Sequence, residues 1–389
     1  MPVEMNYLPV NWIDGMKISR KHFEETGWYT EALAKDISTL NLTDFNFGIQ
    51  PSDNPLDLLI SCDFSHQISI ELKACKAITP DGSRIRIRAA ESLSLRTNFK
   101  DVAVRYNLRS DQPQQLLVLL SINPFQRLPT GEPLLNENPP RHPYTSPAYS
   151  LDLLPAEVLN PSQLSASIVI GKIIWQNGEL QVPPDYIPAC TSMKSLPRLT
   201  DWFDRFREAL ENWEQYCIKI IQKINAKAQA QPSNALANNI LKISEKMFEQ
   251  LVKQKIHFQW IESKSPPAAC CLSLLENLQY VHALQQCYPE KDREEMINYF
   301  AEWTDTAPGA LEKQTLKVLQ LTYQHADAGA ALNEIYLSYQ SYLRIFLKLS
   351  QLDFIGKKKG QHIFVIEQEV KPVNSQPAPK TNNRWSPLT

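Results

Sequence analysis

Histidine and cysteine are the residue types of this sequence best suited to metal binding or nucleophilic chemistry. The histidines are His22, His66, His142, His257, His282, His325 and His362, and the cysteines are Cys62, Cys75, Cys190, Cys217, Cys270, Cys271 and Cys287. No two of them stand at a metal-ligand spacing such as HExxH or CxxC. The sequence therefore predicts no metal site, and it predicts free thiols in a reducing compartment. The histidines in predicted helices are expected to be surface or hydrogen-bonded core residues.

Two cysteines, Cys270 and Cys271, are adjacent at the start of a predicted helix. A helix N-terminus can lower the pKa of a thiol, so one interpretation is a reactive cysteine. The other interpretation is a pair of small buried residues. Adjacent carboxylates occur at residues 24–25 and 294–295. Neighbouring helix positions do not face each other, so neither pair predicts an acid–base couple.

Glycine is scarce, with 11 residues in 389, and this argues against loops that bind phosphates or position a nucleophile. Such loops need glycine so that the backbone can approach the ligand, and the sequence has no GxGxxG, GxxxxGK[ST] or GxSxG. We therefore expect no catalytic residue, no cofactor and no enzymatic activity. The alternative from a different class is an enzyme whose active site lies in the proline-rich stretch 124–161, which is expected to be a long loop.

The charge balance gives no reason to expect nucleic acid or an anionic membrane as a partner. The chain has 40 basic and 42 acidic residues, a formal net charge of −2. Its longest strongly apolar run, Leu116–Leu120, is far shorter than the ~20 residues of a membrane span. We expect neither nucleic-acid binding nor direct membrane insertion. Lys357–Lys359 are expected to be solvated, with contact to an anionic surface as the alternative.

The distribution of proline indicates where the chain changes character. Nineteen of the 28 prolines lie in residues 1–197, and only five lie in residues 198–348. Because proline breaks helix interiors, the second region is predicted to be helical. The expected organisation is a β domain at 1–197, a helical bundle at 198–352, and a tail at 353–389 with one strand-like run, His362–Ile366.

The helical region carries an unbroken heptad seam, which predicts long antiparallel helices. Its residues, spaced alternately four and three apart, are Leu199, Phe203, Phe206, Leu210, Trp213, Cys217, Ile220 and Ile224. The last helix repeats the spacing with Leu332, Tyr336, Tyr339, Leu343 and Phe346. We assign Leu199, Phe203, Phe206, Leu210, Trp213, Leu343 and Phe346 to the seam of the bundle or of an oligomer.

Short β-rich runs separated by turn residues predict a β-sandwich in the first region. The predicted strands are Leu58–Cys62, Gln67–Ala74, Arg84–Arg88, Gln115–Ile122 and Ser167–Trp175, with a tight turn at Thr79–Gly82 and a hairpin at Asn177-Gly178. One amphipathic helix, about Ser19–Leu40, has Leu33, Ile37 and Leu40 as its apolar stripe. The predicted fold class is α+β, an N-terminal β-sandwich followed by an antiparallel helical bundle and a short tail.

The N-terminal residues carry the most specific pattern in the chain. The motif Val10-x-Trp12-x-x-Gly15-Met16, followed by His22-Phe23, resembles the opening of the TssK family, a baseplate subunit of type VI secretion systems. Further agreement comes from Asn46-Phe47-Gly48, from Pro80-Asp81-Gly82, and from the segment Pro184 to Cys190. Lys21 and Ala189 depart from the family's usual glutamine and proline. The resemblance covers about residues 5–352, and the order of the motifs makes the combination specific.

The resemblance implies a homotrimer whose β-sandwich, similar to the shoulder of phage receptor-binding proteins, docks on wedge subunits similar to TssF and TssG. Trp12, Met16, His22 and Phe23 are the candidate partner-binding residues. Alternatively, the three apolar ones pack the sandwich and the early helix, and His22 is a structural hydrogen-bonding residue. The family's C-terminal head docks on the membrane complex. Since 38 residues follow Gln351, we expect a C-terminally shortened member that contacts the membrane-side complex through the bundle end or the tail.

The implied location is the cytoplasm, at the inner face of the cell envelope. Two other non-enzymatic interpretations share this architecture. One is a receptor-binding or tail-fibre adaptor of a phage or an extracellular contractile particle. The other is an unrelated helical scaffold. Neighbouring genes for a secretion sheath and wedge, or for a capsid and terminase, would separate secretion from phage.

Overall fold

The computed structural model describes residues 7–109, 112–159, 164–228, 234–302, 307–353 and 355. These residues belong to one compact unit. In chain order they form a helix, α1 (Arg20–Thr39), then two antiparallel sheets, and then a series of helices. The predicted α+β class is confirmed. The predicted strand His362–Ile366 and the lysines at 357–359 lie outside the described residues.

The first sheet is organised around one long strand. Its members are β1 (Gly48–Ile49), β2 (Leu56–Cys62), β3 (Gln67–Ile78), β4 (Arg84–Ile87) and β5 (Leu93–Asn98). β3 pairs antiparallel with each of the other four. Its side chains alternate between buried and more exposed, as expected for a strand with one face on a core. The turn predicted at Thr79–Gly82 joins β3 to β4, and Gly82 has a φ of +80°.

The second sheet has the strand order β7–β6–β8–β9. Its members are β6 (Gln114–Thr130), β7 (Tyr144–Pro155), β8 (Ser167–Gln176) and β9 (Glu179–Gln181). β8 and β9 form the hairpin that Asn177-Gly178 predicts, and both turn residues have positive φ, as a type I′ turn requires. The pairing of Trp175 with Leu180 sets its register.

The prediction of a long loop at 124–161 is wrong. The last part of β6 and all of β7 lie in this stretch and pair with each other, so most of it is a hairpin. A register shift between Asn123 and Arg127 places Pro124 at a bulge. β8 pairs with β6 as far as Ser121, and past this residue β6 continues to pair with β7. Proline is tolerated at bulges and edges because no ladder hydrogen bond is lost there.

The two sheets pack face to face in the predicted β-sandwich. A Cβ at Gly171 on β8 would lie 3.0 Å from the side chain of Leu58 on β2, so the sheets approach closely at this glycine. The short helix α2 (Phe99–Tyr106) closes one part of the layer. Its Phe99 stacks on Trp175 of β8 with ring centroids 4.4 Å apart.

The helical part, within the described residues, consists of α3 (Pro197–Ala228), α4 (Ala235–Trp260), α5 (Pro267–Gln286), α6 (Glu290–Ala301), α7 (Ala310–Leu319) and α8 (Ala328–Gln351). α3 begins at Pro197, because proline suits the first helical position. Asn234 caps α4 by accepting a hydrogen bond from Ala237 N at 2.7 Å.

An aromatic core joins α3 to its neighbours. Trp213 of α3 is fully buried and lies within 5.6 Å, centroid to centroid, of Tyr339, Tyr342 and Phe346 on α8. On the α4 side, Phe203 stacks on Phe258 at 4.8 Å. The heptad spacing thus places its residues where two helices meet α3.

Direct contacts tie the helical part to the sandwich. His325, in a one-turn 3₁₀ helix before α8, has its Nε2 2.9 Å from the carbonyl oxygen of Phe47. Lys172 of β8 forms an ion pair with Asp327 at 3.0 Å. A Cβ at Gly329 would lie 1.8 Å from Asp185 O, so glycine is required at this approach. The division into domains at 197 stays a prediction.

Candidate interaction surface on the N-terminal helix

The start of α1 is fixed by a hydrogen bond between backbone and ring. Ser19 is the N-cap, with extended backbone, and its N–H donates to His22 Nδ1 at 3.2 Å. His22 is the third residue of the helix, and its ring accepts the hydrogen bond that a glutamate side chain accepts in a capping box. His22 thus accepts a hydrogen bond that fixes the first turn.

One side of α1 faces the sandwich and is held by charged side chains. Lys35 Nζ lies 2.8 Å from Asp81 Oδ2, and Arg127 Nη2 lies 2.8 Å from Glu31 Oε2. Lys35 also lies over the ring of Phe125 at 5.6 Å. These four charged side chains are largely shielded from solvent, so salt screens the two pairs less than it screens fully exposed ones.

The turn between β3 and β4 is shaped to receive α1. Asp81 accepts hydrogen bonds from Thr79 Oγ1 at 2.6 Å and from Ser83 N at 3.0 Å. Although burial raises the pKa of Asp81, hydrogen bonds from Lys35, Thr79 and Ser83 bring it below its ordinary value. A Cβ on the adjacent Gly82 would lie 2.9 Å from Lys35 O. This close approach lets the backbone of α1 rest on the turn.

The opposite side of α1 is apolar and exposed. No residue of the helix is buried. The exposed fractions are 64% for Phe23, 43% for Leu33, 58% for Ile37 and 81% for Leu40, the C-cap residue. The predicted apolar stripe therefore exists, but it points away from the sandwich because the ion pairs hold the charged side of the helix inward.

Trp12 lies beside the first turn of α1. Its ring centroid is 6.0 Å from that of His22 and 6.2 Å from that of Phe23. We call these three residues the N-terminal cluster. Trp12 is about half exposed, at 49%. Met16, the fourth predicted site residue, is half-buried and follows Gly15, whose φ is +75°. The structure thus brings three of the four predicted residues together at an exposed position.

The residues predicted for the bundle or oligomer seam contact their neighbours within one chain. Leu199, Phe203, Phe206, Trp213 and Phe346 are buried, and Leu210 and Leu343 are half-buried. The five buried side chains are covered within one chain, whereas Leu210 and Leu343 keep part of their surface exposed.

A further exposed stripe, which the sequence patterns did not predict, lies on α4. Val252, Ile256 and Trp260 are exposed and stand four residues apart. Their spacing places them on one line along the helix, on a side other than the buried Leu251 and Phe258. The spacing is visible in the sequence, but the stronger core pattern of the same helix conceals it.

The adjacent thiols are unsuited to nucleophilic chemistry. Cys270 and Cys271 are both buried near the start of α5. Burial raises the pKa of both thiols, that of Cys271 to about 12, so the neutral form prevails near neutral pH. The structure supports the interpretation as small buried residues. Cys287, at the end of α5, is an exposed free thiol.

A cleft of about 180 Å³ lies beside the first turns of α3. Its lining includes Asp185, Arg198, Asp201, Trp202 and Arg205, so its charges are mixed. The Nη1 of Arg198 already donates to a backbone carbonyl oxygen at 2.8 Å. In the described part of the chain, no group of three or more histidine, cysteine or acidic residues could hold a metal ion. None of the described helices combines the length and hydropathy needed to cross a bilayer.

Comparison with known proteins gives structural neighbours only. No family model and no curated protein matches the sequence. A crystal structure of TssK has a TM-score of 0.49 and 15% identity, over 87% of this chain and 70% of that one. A TssK–TssF–TssG baseplate subcomplex of the type VI secretion system gives 0.46 and 12%, over 89% and 99%. TssK from the EAEC system, bound to a nanobody, gives 0.43 and 13%, over 85% and 100%.

These structures carry the name of the family that the sequence motifs resemble. Their TM-scores do not exceed 0.49, and their identities to this chain do not exceed 15%. At these values the similarity carries no argument about what this chain does or binds.

Proposed function

We propose that this chain is a non-enzymatic structural subunit of a type VI secretion, or contractile injection, baseplate. It would act in the cytoplasm, at the inner face of the cell envelope, as a trimeric adaptor between the baseplate wedge and the membrane-side complex. The observation that carries the proposal is the N-terminal motif Val10-x-Trp12-x-x-Gly15-Met16 with His22-Phe23, followed in order by the other family motifs. The wedge partners would be similar to TssF and TssG.

The geometry of the N-terminal cluster supports a docking role. Trp12 and Phe23 are exposed aromatic side chains, a type enriched among residues that dominate binding energy. Phe23 is in the first turn of a helix whose orientation is fixed by the pairs Lys35–Asp81 and Glu31–Arg127, and Trp12 packs beside that turn. A partner that binds the cluster would therefore lose little free energy in ordering this surface.

The helical part supports a role as a stiff connector. α3 has 32 residues, which is about 48 Å at 1.5 Å per residue. It packs against α4 and α8 through a continuous apolar and aromatic core. A contact at the far end of such a bundle would be held at a defined distance from the sandwich. We place the membrane-side contact at this end or in the tail.

The test is co-purification of the full-length chain with the TssF-like and TssG-like subunits encoded beside it. Trp12→Ala removes the central ring of the N-terminal cluster, and we expect it to weaken binding about 30-fold, as for a hot spot of about 2 kcal/mol. Phe64→Ala is the matched control, because Phe64 is a fully exposed aromatic on the turn between β2 and β3.

Three outcomes count against this proposal. If the folded wild-type chain does not bind wedge subunits, the baseplate role is overturned. If Trp12→Ala binds like wild type, or if Phe64→Ala weakens binding equally, the docking surface lies elsewhere. Solution mass tests the trimer, which should weigh about three times 44.5 kDa. Capsid and terminase genes beside this one would favour the phage-adaptor interpretation instead.

A further inference from the structure

The outer edge of β2 has no strand partner in the described part of the chain, since β2 pairs with β3 alone. Asp63 N donates to Gln67 O across this pair at 3.1 Å, and hydrogen-bonded and non-hydrogen-bonded residues alternate along an antiparallel ladder. The backbone N–H and C=O groups of Leu58, Ile60 and Cys62 therefore point away from β3. We call these three residues the β2 edge, and their outward groups have no hydrogen-bond partner among the described residues.

The β2 edge lacks the protection that exposed strand edges usually have. Lysine, proline or a covering residue normally prevents such an edge from pairing with another chain. On β4 the hydroxyl of Tyr149 has this role, because it accepts from Arg86 N at 3.2 Å and donates to Arg86 O at 3.3 Å. The run Leu58–Cys62 contains neither lysine nor proline. The β2 edge is therefore able to accept the backbone of another strand.

The side chains along this edge are apolar on both faces of the sheet. Leu58 and Ile60 lie on the sandwich face of β2, since a Cβ at Gly171 would lie within 3.2 Å of both. Leu59 points to the opposite face and is 52% exposed. An added strand would therefore place its central residues beside apolar side chains on either face.

The two ends of the β2 edge are acidic. Residues 36–72 contain six acidic side chains and no lysine or arginine. Asp57 stands at one end of the edge and Asp63 at the other, and neither forms an ion pair among the described residues. Hydrogen bonds from Ser65 and Gln67 lower the pKa of Asp63, so its carboxylate is ionised at neutral pH. A strand with a lysine or arginine at each end complements this pattern.

A second copy of β2 does not complement it. Two antiparallel copies that pair the whole β2 edge would have Ile60 opposite its own counterpart. The same register would place Asp57 of each copy opposite Asp63 of the other. Like charges directly opposite each other destabilise a strand pair. The charge pattern therefore favours a strand of different sequence.

We propose that the β2 edge binds an extended segment of another protein by strand addition, and that this segment has an apolar centre with lysine or arginine at both ends. The outward backbone groups of the β2 edge supply the hydrogen bonds, which give affinity in this mode of recognition. Asp57 and Asp63 select the charged ends and so set the register. The β2 edge shares no residue with the N-terminal cluster, so this inference does not depend on the baseplate role.

The experiment measures fluorescence anisotropy of labelled cyclic β-hairpin peptides titrated with the full-length chain. A cyclic hairpin presents a preformed strand, so little free energy is lost in ordering it. The outer strand of the first peptide is Lys-Thr-Val-Val-Val-Thr-Lys, and the second has glutamate in place of both lysines. The third is the lysine peptide with its outward backbone nitrogens methylated, which removes the donors. We expect the lysine peptide to bind, the glutamate peptide to bind about tenfold more weakly or worse, and the methylated peptide not to bind.

Substitutions in the chain locate the binding site. Leu59→Lys removes an apolar contact and adds a positive charge, so it should weaken binding of the lysine peptide at least about tenfold. Leu128→Lys is the matched control, at an exposed leucine of β6, and should bind like wild type. Neither leucine is buried, so both variants should keep the wild-type circular dichroism. Asp57→Lys should shift the preference of the chain towards the glutamate peptide.

Several results would overturn the proposal. One is failure of the lysine peptide to bind at concentrations up to about 1 mM. Equal binding of the lysine and glutamate peptides would refute the charge match, and equal binding of the methylated peptide would refute strand addition. Unchanged binding by Leu59→Lys would place the site elsewhere. If Leu59→Lys instead reduces the solution mass of the chain, the occupant of the edge is a second copy and the proposal fails.

Discussion

Replacement of Trp213 tests how the helical core is held together. Its ring is completely buried and contacts three aromatic rings of α8, those of Tyr339, Tyr342 and Phe346, at 5.5 to 5.6 Å. Its indole N–H has no hydrogen-bond partner among the residues that the structure describes. Two substitutions separate these features, because Trp213→Ala removes both the ring contacts and the N–H, whereas Trp213→Phe removes the N–H and keeps an aromatic ring.

The two substitutions should differ several-fold in their effect on the free energy of unfolding. Trp→Ala at a buried site costs about 3–5 kcal/mol, and the three ring pairs place Trp213→Ala near the upper end. Trp→Phe loses the transfer free energy of the smaller ring, about 1–2 kcal/mol. It also removes a buried, unpartnered donor, whose presence costs about 1–3 kcal/mol. We therefore expect Trp213→Phe to lie within about 1 kcal/mol of wild type.

The assay is urea unfolding followed by far-ultraviolet circular dichroism, with both variants and wild type at the same protein concentration. The unfolding midpoint should fall strongly for Trp213→Ala and hardly at all for Trp213→Phe, with the slope unchanged. A Trp213→Ala midpoint equal to that of wild type would refute the central role of this ring. A Trp213→Phe midpoint as low as that of Trp213→Ala would refute the assignment of the N–H as an energetic cost.

Two further substitutions follow from the contacts between the parts of the fold. Burial lowers the pKa of His325. As the pH falls below about 6.5, the unfolded chain therefore binds a proton at this histidine while the folded chain does not. The free energy of unfolding should fall by up to ~1.4 kcal/mol per pH unit in this range. His325→Gln should remove this component of the pH dependence, and equal slopes in both proteins would contradict it. Gly82 and Gly309 both have φ near +80°, but only a Cβ at Gly82 meets another part of the described chain, at Lys35 O. Gly82→Ala should thus lower the unfolding free energy by at least ~1 kcal/mol more than Gly309→Ala, and equal losses would show that α1 does not rest on this turn.

Local patterns were sufficient to predict most elements. The heptad spacing of α3 depends only on residues close in the chain, and all of its predicted positions are buried or half-buried. The turn at Gly82 and the hairpin at Asn177-Gly178 were predicted for the same reason, since positive φ is a local demand.

The stretch 124–161 shows where local reasoning failed. Its prolines suggested a loop, because proline cannot donate to a strand ladder. The ladder partner of β6 past Ser121 is β7, and Pro124 falls at a bulge between them. Only the pairing reveals that these positions need no donor. The sequence shows which residues form the hairpin, but it does not show which edge of each strand is hydrogen-bonded to a neighbour.

The candidate site was also predictable only in part from the sequence. The sequence placed Trp12, His22 and Phe23 at an N-terminal motif, and it identified the apolar stripe of α1. It did not determine where that stripe points. The direction depends on two ion pairs between residues that are distant in the chain. Lys35 and Asp81 are 46 positions apart, and Glu31 and Arg127 are 96 positions apart.

The sequence by itself determined the α+β class, the order of the elements and the motif that resembles the TssK family, because each depends on spacing along the chain. The tertiary structure decided which apolar residues stay exposed to solvent. It covers the bundle seam within one chain and leaves the apolar stripe of α1 exposed, since burial depends on what packs across distant segments. Periodicity identifies an apolar face, but only the three-dimensional arrangement shows whether the chain covers that face itself.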